Sequence, residues 1–328
     1  MKPIVILFLL ISIVCVFILV IKPPAKITIH VVTDKGIPIS NIPVGLSTFD
    51  YWQPGELFGT DIYKNYEGKT DSKGIVTFTI LSERGDVAFG TGSGLIGYYP
   101  HGGNYKFKNI YGGVNWLPWR PWNPTVELIL KPIKNPIPMY AQAVRYTLPV
   151  KNSAVGFDLE VGDWVVPYGK GITSDFIFTL NEKVPFVSAT QPYDVTNTLS
   201  FSNKSDGIQS VLVSQNQGTF FRMLGDAPQG GYNAILAQEL SLSDNKRLSG
   251  AVSEDQNYFF RVRTVLDGQN KVKSALYGKI RGPIECGPQG IVQFTYYLNP
   301  TPNDRNMESD PTKNLFQNLT DDQQVKAP

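Results

Sequence analysis

Apolar and polar residues alternate in short stretches along most of the chain. Near residue 30, Ile27, Ile29 and Val31 fall on one face of an extended strand, while Thr28 and His30 fall on the other. The same alternation recurs at residues 44–46, 76–80, 126–131, 157–161, 176–180, 199–201, 260–262 and 292–298. Residues 232–240 fit either a short helix or a strand. Period-two patterns are typical of half-buried antiparallel strands, so the chain is predicted to be all-β.

The N-terminus has a different pattern. Residues 3–21 carry no charge, and a helix of that length is about 28 Å long, enough to cross a hydrocarbon core. This predicts a transmembrane helix that anchors the protein through residues 3–21. A cleaved signal is the alternative, but two prolines precede the candidate cleavage site after Ala25. A lipoprotein signal at Cys15 is a third reading. All three place the rest of the chain outside the cytoplasm, in the periplasm or at the cell surface.

Changes in composition divide the chain into four regions. Residues 1–25 form the anchor or signal, and residues 26–133 form a first β-domain. A proline-rich joint that begins at residue 135 introduces a second β-domain over residues 134–300. Residues 301–328 are polar and are expected to form a disordered or loosely docked tail.

Two motifs in the first domain resemble a known family. Residues 32–44 read VTDKGIPISNIPV and residues 70–78 read TDSKGIVTF. These hairpins resemble the carboxypeptidase regulatory-like, prealbumin-like domains over about 110 residues. The resemblance implies a seven-stranded sandwich rather than peptidase activity. The predicted fold is thus all-β, with an N-terminal transmembrane helix followed by two Ig-like or prealbumin-like β-sandwich domains.

Weaker resemblances concern the second domain. Residues 258–278 resemble the penultimate strand and turn of a fibronectin type III-like sandwich. Residues 134–140 and 162–171 resemble segments of uncharacterised bacterial envelope proteins. Neither resemblance implies a function.

An aromatic insertion from residue 90 to residue 122 departs from the simple family pattern. Its candidate ligand-binding residues are Tyr98, Tyr99, Tyr111, Trp116, Trp119, Arg120 and Trp122. Indole and phenol rings stack on sugar rings or on extended peptides, and an arginine adds hydrogen bonds. The alternative is that the rings pack against the sandwich or the second domain. We expect most of them to pack, with Trp119 and Tyr99 left at the surface.

Composition excludes several classes of function. The chain has 30 Lys and Arg against 28 Asp and Glu, so it has no overall basic character for nucleic acid. With two histidines and two cysteines, it lacks the residues for multi-histidine metal sites, zinc fingers or a disulfide scaffold. His30 is predicted at the surface and His101 in a glycine loop. Cys286 is the single cysteine of the exported part. No cofactor or metal is predicted.

Paired carboxylates are the remaining route to catalysis. Asp158, Glu160 and Asp163 cluster beside Trp164, which suits glycoside cleavage in principle. Asp158 and Glu160 nevertheless alternate with the apolar residues of 157–161, so we expect them on the solvent face.

The leading hypothesis is a non-enzymatic, membrane-tethered, extracytoplasmic binding or scaffold protein of the cell envelope. Its partner would be an envelope protein or a glycan. A carboxylate-dependent, glycan-acting enzyme is one alternative. A purely structural subunit of an envelope complex, in which the tryptophan segment is an interdomain seam, is the other.

Overall fold

A computed structural model describes residues 24–55, 59–81, 86–92, 94–106, 123–213, 218–243, 246–249 and 253–328. The predicted membrane helix at residues 3–21 lies outside these ranges, and within them no helix is long and apolar enough to cross a membrane. The described residues divide into a first unit, residues 24–133 with 218–219, and a second unit formed by the remainder from residue 134.

The first unit has seven strands within the described ranges. They are β1 (Pro24–Thr33), β2 (Pro43–Gln53), β3 (Thr60–Lys69), β4 (Ile75–Leu81), β5 (Asp86–Gly90), β6 (Gly102–Lys106) and β7 (Thr125–Leu130). One sheet has the order β4-β1-β7 and the other has the order β3-β2-β5-β6. The pair β1–β7 is parallel, and the other pairs are antiparallel.

The core of the first unit lies between its two sheets. Ile27, Ile29 and Val31 of β1 are completely buried, and they pack with Leu46 of β2 and Val87 of β5 on the facing sheet. Each such side chain contributes about 1.5–3 kcal/mol on burial. Residues from both sheets share one core, so the unit is a β-sandwich, and its seven strands match the number that the family resemblance implied.

The second hairpin motif forms the connection between β3 and β4. Thr70 accepts a hydrogen bond at Oγ1 from the Ile42 N–H (2.9 Å), while Asp71 Oδ1 accepts from the N–H groups of Lys73 (2.8 Å) and Ile75 (2.9 Å). Gly74 has a φ of +73°, and a Cβ there would lie 2.6 Å from a β1 carbonyl oxygen. The Thr-Asp-x-x-Gly pattern is therefore required by a tight turn.

The second unit continues the strand series from residue 140. Its strands are β8 (Tyr140–Thr147), β9 (Val155–Asp158), β10 (Asp163–Trp164), β11 (Phe176–Val184), β12 (Tyr193–Ser200), β13 (Gly207–Leu212), β14 (Ile235–Ser243), β15 (Lys246–Ser249), β16 (Gln256–Leu266), β17 (Val272–Ile280), β18 (Glu285–Cys286) and β19 (Ile291–Asn299). A 3₁₀ turn follows at Pro311–Lys313. The ambiguous region at 232–240 thus contributes a strand, and the segment resembling fibronectin type III lies in the antiparallel β16–β17 pair.

Two sheets enclose the main core of the second unit. One has the order β10-β9-β11-β12-β14-β15; the other has the order β13-β16-β17-β19-β18, with β8 also paired to β19. Phe157 and Phe176 from the first of these sheets meet Phe294 from the second, with ring centroids 5.8 and 6.0 Å apart. The second unit is therefore also a β-sandwich.

The outer face of the β17-containing sheet is buried as well. A smaller core there joins Met139, Phe259 and Tyr297 to Met307 of the C-terminal segment. Lys279 is 1% exposed, and its Nζ donates 2.6 Å to the Met307 carbonyl and lies 4.4 Å from the Tyr297 ring centre. The C-terminal segment thus acts as a third layer.

Residues 301–328 differ from the expected disordered or loosely docked tail. The Asn299 side chain donates to the carbonyl oxygens of Asp304 (3.2 Å) and Asn306 (3.0 Å). Asn314 pairs with both main-chain groups of Ala141. Asparagine side chains that bond to main chain thus attach this segment to the second unit.

Candidate functional site

The predicted aromatic insertion is only partly described. Tyr111, Trp116, Trp119, Arg120 and Trp122 lie outside the described residues. Tyr98 is half-buried against the first core. Tyr99 is 8% exposed, contrary to the expectation of a surface ring. Main-chain bonds explain the difference, because the Tyr99 N–H donates to the Lys131 carbonyl (2.9 Å) and this short pairing directs the ring inward.

His101 and Cys286 are the two candidate reactive groups described. The His101 ring is buried, and Nδ1 lies 2.7 Å from the Ile129 carbonyl oxygen. Burial lowers the pKa of His101, which keeps the imidazole neutral at pH 7. Burial also raises the pKa of Cys286 to about 12, so its thiol stays protonated. Both groups therefore have the surroundings of structural residues.

Exposed rings instead occupy the β2–β3 hairpin, which sequence reasoning missed. Tyr51, Trp52 and Tyr63 are 53%, 55% and 52% exposed. Phe49 packs edge-on against Tyr63, with centroids 6.2 Å apart. A shift in register between Phe49 and Tyr51 interrupts the β2–β3 pairing. The adjacent rings Tyr51 and Trp52 are the available sequence signal, because two consecutive aromatic residues interrupt the alternation of Phe49, Asp50 and Tyr51 and cannot both face the core of a half-buried strand.

A groove of about 860 Å³ lies on the same β3-β2-β5-β6 sheet, and its lining on β3 begins at Asn65, two residues from Tyr63. We call it the groove, and its lining comes from residues 43–47, 65–69, 88–92 and 94–95. The floor of the groove is lined by residues with small side chains, because Gly45 pairs with Gly90, and Ser47 pairs with Ala88. Glu67, the partner of Gly45 on β3, is exposed at its rim. The volume lies within the 300–1,000 Å³ range of ligand pockets.

A second exposed surface lies on the loop formed by residues 163–173 of the second unit. Val166, Tyr168 and Ile172 are 66%, 46% and 83% exposed. The Lys170 N–H donates to the Asp163 carboxylate (3.0 Å), and the Ile172 N–H donates to Asp158 (2.9 Å). The loop therefore holds apolar side chains in solvent on a well-bonded backbone.

Asp158 is buried, contrary to the expectation of a solvated charge. It is 2% exposed, and its carboxylate accepts N–H bonds from Glu160, Val161, Ile172 and Thr173 at 2.8–3.2 Å. Burial acts to raise the pKa of Asp158, but these four N–H donors outweigh it and leave the pKa lowered. Strand β9 ends at Asp158, so the strand alternation does not extend to residues 159–161.

Arg263 joins this loop region to the opposite sheet. Its guanidinium makes two bonds to Asp175, at 2.8 and 2.9 Å, and one to Glu160 at 2.5 Å. It also lies 3.4 Å from Asp158. The backbone at Arg263 has a φ of +55°, and Asp206 accepts from its N–H at 2.9 Å. The arginine is thus fixed by both its backbone and its side chain.

This carboxylate cluster, together with Arg263, forms an ionic brace between the two sheets of the second unit. Burial raises the pKa of Asp175, although Arg263 opposes the shift. Asp163 accepts from the N–H groups of Trp164 and Lys170. The candidate glycosidase carboxylates thus accept hydrogen bonds from main-chain N–H groups and from one guanidinium group. Across the described ranges, no group of three or more His, Cys, Asp or Glu side chains is arranged to hold a metal ion.

Comparison with known proteins adds little to this geometry. No family model matches the chain, and no curated protein matches it. Among solved structures, the chain is similar to the crystal structure of BcpA, the major pilin subunit of Bacillus cereus. The two share 13% identity over 89% of this chain and 97% of that chain, with a TM-score of 0.23. So distant a likeness assigns neither a fold nor a function.

Proposed function

We propose that this chain is a non-enzymatic, membrane-tethered, extracytoplasmic binding or scaffold protein of the cell envelope. The proposal assigns the contact surface to the groove and to the exposed rings Tyr51, Trp52 and Tyr63. The single observation that carries it is that the hairpin with these exposed rings also supplies two of the strands that line the recess. The location outside the cytoplasm rests on the uncharged run at residues 3–21.

The physical argument concerns the cost of exposed rings. A fully buried aromatic side chain is worth about 1.5–3 kcal/mol relative to an exposed one. Three half-exposed rings on one hairpin therefore leave several kcal/mol for a partner to supply. Tyrosine and tryptophan also present a polar edge, which suits a surface that is alternately wet and covered.

The charges on this face favour a partner without strong net charge. Glu67 and Lys69 are both exposed on β3 and lie on the same face of this strand. Charges of both signs provide no field for a polyanion. A neutral glycan or a protein surface of mixed charge fits this face better.

The carboxylate cluster favours the non-enzymatic reading over the glycan-acting enzyme. A general acid needs a proton at its working pH, whereas the pKa of Asp158 is lowered. Asp175 is 2% exposed and bonds to Arg263, so a substrate oxygen has no approach to it. We therefore assign these groups to the fold.

Photo-crosslinking in native membranes tests the proposal. A photoreactive amino acid replaces Trp52 in the full chain, and the control carries it at Thr77, an exposed position on β4 of the other sheet. We expect adducts with an envelope component from position 52 and only background from position 77. Equal yields at the two positions would remove the support for this contact surface.

A further inference from the structure

We propose that strand β3 of the first unit pairs antiparallel with β3 of a second copy of this chain, about a two-fold axis at Asn65. The two four-stranded sheets then join edge to edge. The inference does not rest on the proposed function, because it concerns the main chain at the edge of the sheet and not the groove. The contact is isologous, since both copies present the same strand.

Strand β3 has an open side along its whole length. It stands at the end of the sheet order β3-β2-β5-β6, and β2 pairs with it from Thr60 to Lys69. Among the residues that the structure describes, none outside this hairpin is hydrogen-bonded to β3. An unpaired edge of ten residues offers a row of main-chain groups to a further strand.

The hydrogen bonds of the hairpin decide which main-chain groups face outward. The Thr70 N–H donates to the Ile42 carbonyl oxygen (3.0 Å), next to the Pro43–Lys69 pair. Bonded and non-bonded pairs alternate along an antiparallel ladder, so Lys69 and every second residue before it turn their N–H and C=O groups away from β2. The extra residue at the register shift lies on β2, so this alternation continues along β3. The outward set is therefore Asp61, Tyr63, Asn65, Glu67 and Lys69.

Other edge strands have less open main chain or less information to fix a partner. In the second unit, the Ala143 N–H of β8 donates to the Gln323 carbonyl oxygen (3.0 Å), and Ile208 of β13 exchanges two main-chain bonds with Asn233 (2.9 and 2.8 Å). Strand β4 also ends a sheet, but it carries no charged residue. Only charge or shape can fix the register of an added strand, so β3 is the better candidate.

The charges on β3 select one register for pairing with itself. Outward residues must oppose outward residues, and two registers achieve this over most of the strand, along residues 60–68 or 61–69. The first is centred on Lys64, so it opposes Lys64 to itself and Asp61 to Glu67. The second is centred on Asn65 and opposes Asp61 to Lys69 at both ends. Like charges directly opposite each other destabilise a sheet, whereas opposite charges stabilise it, so the second register is favoured.

The same charges explain why the partner is a second copy. Charged side chains normally protect an edge strand from pairing. A strand that pairs with β3 needs a positive charge opposite Asp61 and a negative charge opposite Lys69, and β3 in the reverse direction supplies both. In this register Lys64 also lies opposite Tyr66 of the second copy, a ring that it already approaches within its own chain (5.5 Å).

The size of the contact predicts weak association. Stable interfaces bury about 800 Å² on each partner, and one strand edge covers less than that. We therefore expect a dissociation constant in the micromolar range or weaker, and a dependence on ionic strength because the ion pairs are exposed.

Reversal of the paired charges tests the register in the full chain, by sedimentation velocity in density-matched detergent with micelles in excess. Asp61→Lys alone and Lys69→Asp alone each place like charges at both ends and should weaken association about tenfold. The variant with both changes should associate as the wild type does. A mixture of the two single variants should form mixed dimers, because each supplies the charge that the other lacks.

The matched controls are Lys26→Asp on β1 and Glu127→Lys on β7, two exposed positions of the other sheet. Both should associate as the wild type does. Among the described residues Asp61 and Lys69 have no ion pair within their own chain, so the reversals spare the fold. If the double variant associates as weakly as the single variants, this register is wrong and the inference falls.

A disulfide trap reads the centre of the register directly. In a chain with Cys15→Ser and Cys286→Ser, Asn65→Cys places two thiols on one hydrogen-bonded pair, whose Cα atoms lie about 5.5 Å apart, within reach of a disulfide. Oxidised glutathione should crosslink this variant into a dimer. Tyr63→Cys alone and Glu67→Cys alone place the two thiols roughly 13 Å apart and should give only background, whereas their mixture should crosslink.

Three outcomes would overturn the inference. They are a wild-type chain that stays monomeric at all concentrations, no crosslinking through position 65, and equal crosslinking through Thr77→Cys on β4. If position 52 still crosslinks to a different envelope component in any of these cases, the proposed function stands and the self-pairing falls. If β3 pairs as expected while positions 52 and 77 give equal photo-crosslinking, the self-pairing stands and the proposed contact surface falls.

Discussion

Replacing Arg263 by methionine tests whether the carboxylate cluster braces the second sandwich. Methionine keeps most of the aliphatic stem and removes the charge, and the left-handed backbone strain is nearly the same for both residues. The main loss falls on Asp175, whose side chain is 1% exposed and keeps only the Leu159 N–H (3.0 Å) as a donor. Breaking a buried ion pair on one side costs about 3–5 kcal/mol.

The other two carboxylates, Asp158 and Glu160, add little to this loss of stability. Asp158 loses a single long contact of 3.4 Å and keeps its four N–H donors. Glu160 is 33% exposed and can be solvated. We therefore expect a loss of about 3 kcal/mol, the lower end of the range. With Asp175→Asn also present, the additional loss caused by Arg263→Met should fall to about 1 kcal/mol, because no buried charge is left unpaired.

The pH dependence follows from the raised pKa of Asp175. A carboxyl whose folded-state pKa exceeds the ordinary 3.8 favours the folded state most at low pH and loses that contribution as the pH rises through the folded value. Loss of Arg263 raises that pKa further, so the loss of stability caused by Arg263→Met should shrink as the pH falls from 7 toward the ordinary carboxyl pKa of 3.8. The pKa of Asp158 is lowered, so its contribution is lost only below about pH 3.8.

Urea-dependent hydrogen exchange read by mass spectrometry is the suitable assay, since peptides of the second unit report on that unit alone. A backbone comparison provides the control. Arg263→Gly should be about 1 kcal/mol more stable than Arg263→Ala, because glycine removes the cost of a φ of +55°. A loss below about 1 kcal/mol for Arg263→Met, or the same loss with Asp175→Asn present, would show that solvent screens the brace.

Three further substitutions and one sequencing experiment test other parts of the chain. Asn197 is 4% exposed, and neither polar atom of its side chain has a hydrogen-bond partner. Asn197→Leu should therefore raise the free energy of unfolding in urea by about 1 kcal/mol. A lower free energy of unfolding would indicate that a bound water normally satisfies the side chain. Gly74→Ala should cost more than about 2 kcal/mol in the same assay, because a close carbonyl adds to the left-handed strain. Tyr99→Ala should cost about 3 kcal/mol as a core truncation, read from urea unfolding of the first unit. N-terminal sequencing of membrane-bound protein should start before Lys22, and a start at or after it would contradict the anchor.

The alternation of apolar and polar residues predicts a strand wherever that strand has one buried face and one exposed face. Ile27 and Ile29 are buried and Thr28 between them is not, as period two requires. The turn residues were equally readable, since Asp71 and Gly74 satisfy main-chain geometry that depends on their own residue types. Such information lies within a few consecutive residues, so one sequence contains it.

Residues that depend on distant contacts were not predicted. Ala275 to Ile280 of β17 are buried on both faces, because the C-terminal segment covers the outer one. No alternation can reveal such a strand, and Lys279 within it reads as a surface residue until Met307 supplies its acceptor. The expectation of a disordered or loosely docked tail at residues 301–328 fails for the same reason, since the partners of this segment lie far away in the sequence.

The aromatic residues show that the exposure of a ring is hard to infer from how many aromatic residues cluster in its part of the sequence. Tryptophans are concentrated near residue 119, yet three of the exposed rings that the structure describes lie on the β2–β3 hairpin. What exposes Tyr51 and Trp52 is the change of register after Phe49, beyond which β2 has no partner but β3. Tyr99 is buried by the opposite arrangement, a short pairing with the segment at Lys131. Whether a ring meets solvent or the core is thus decided by the strand next to it, and the composition of the segment does not contain that information.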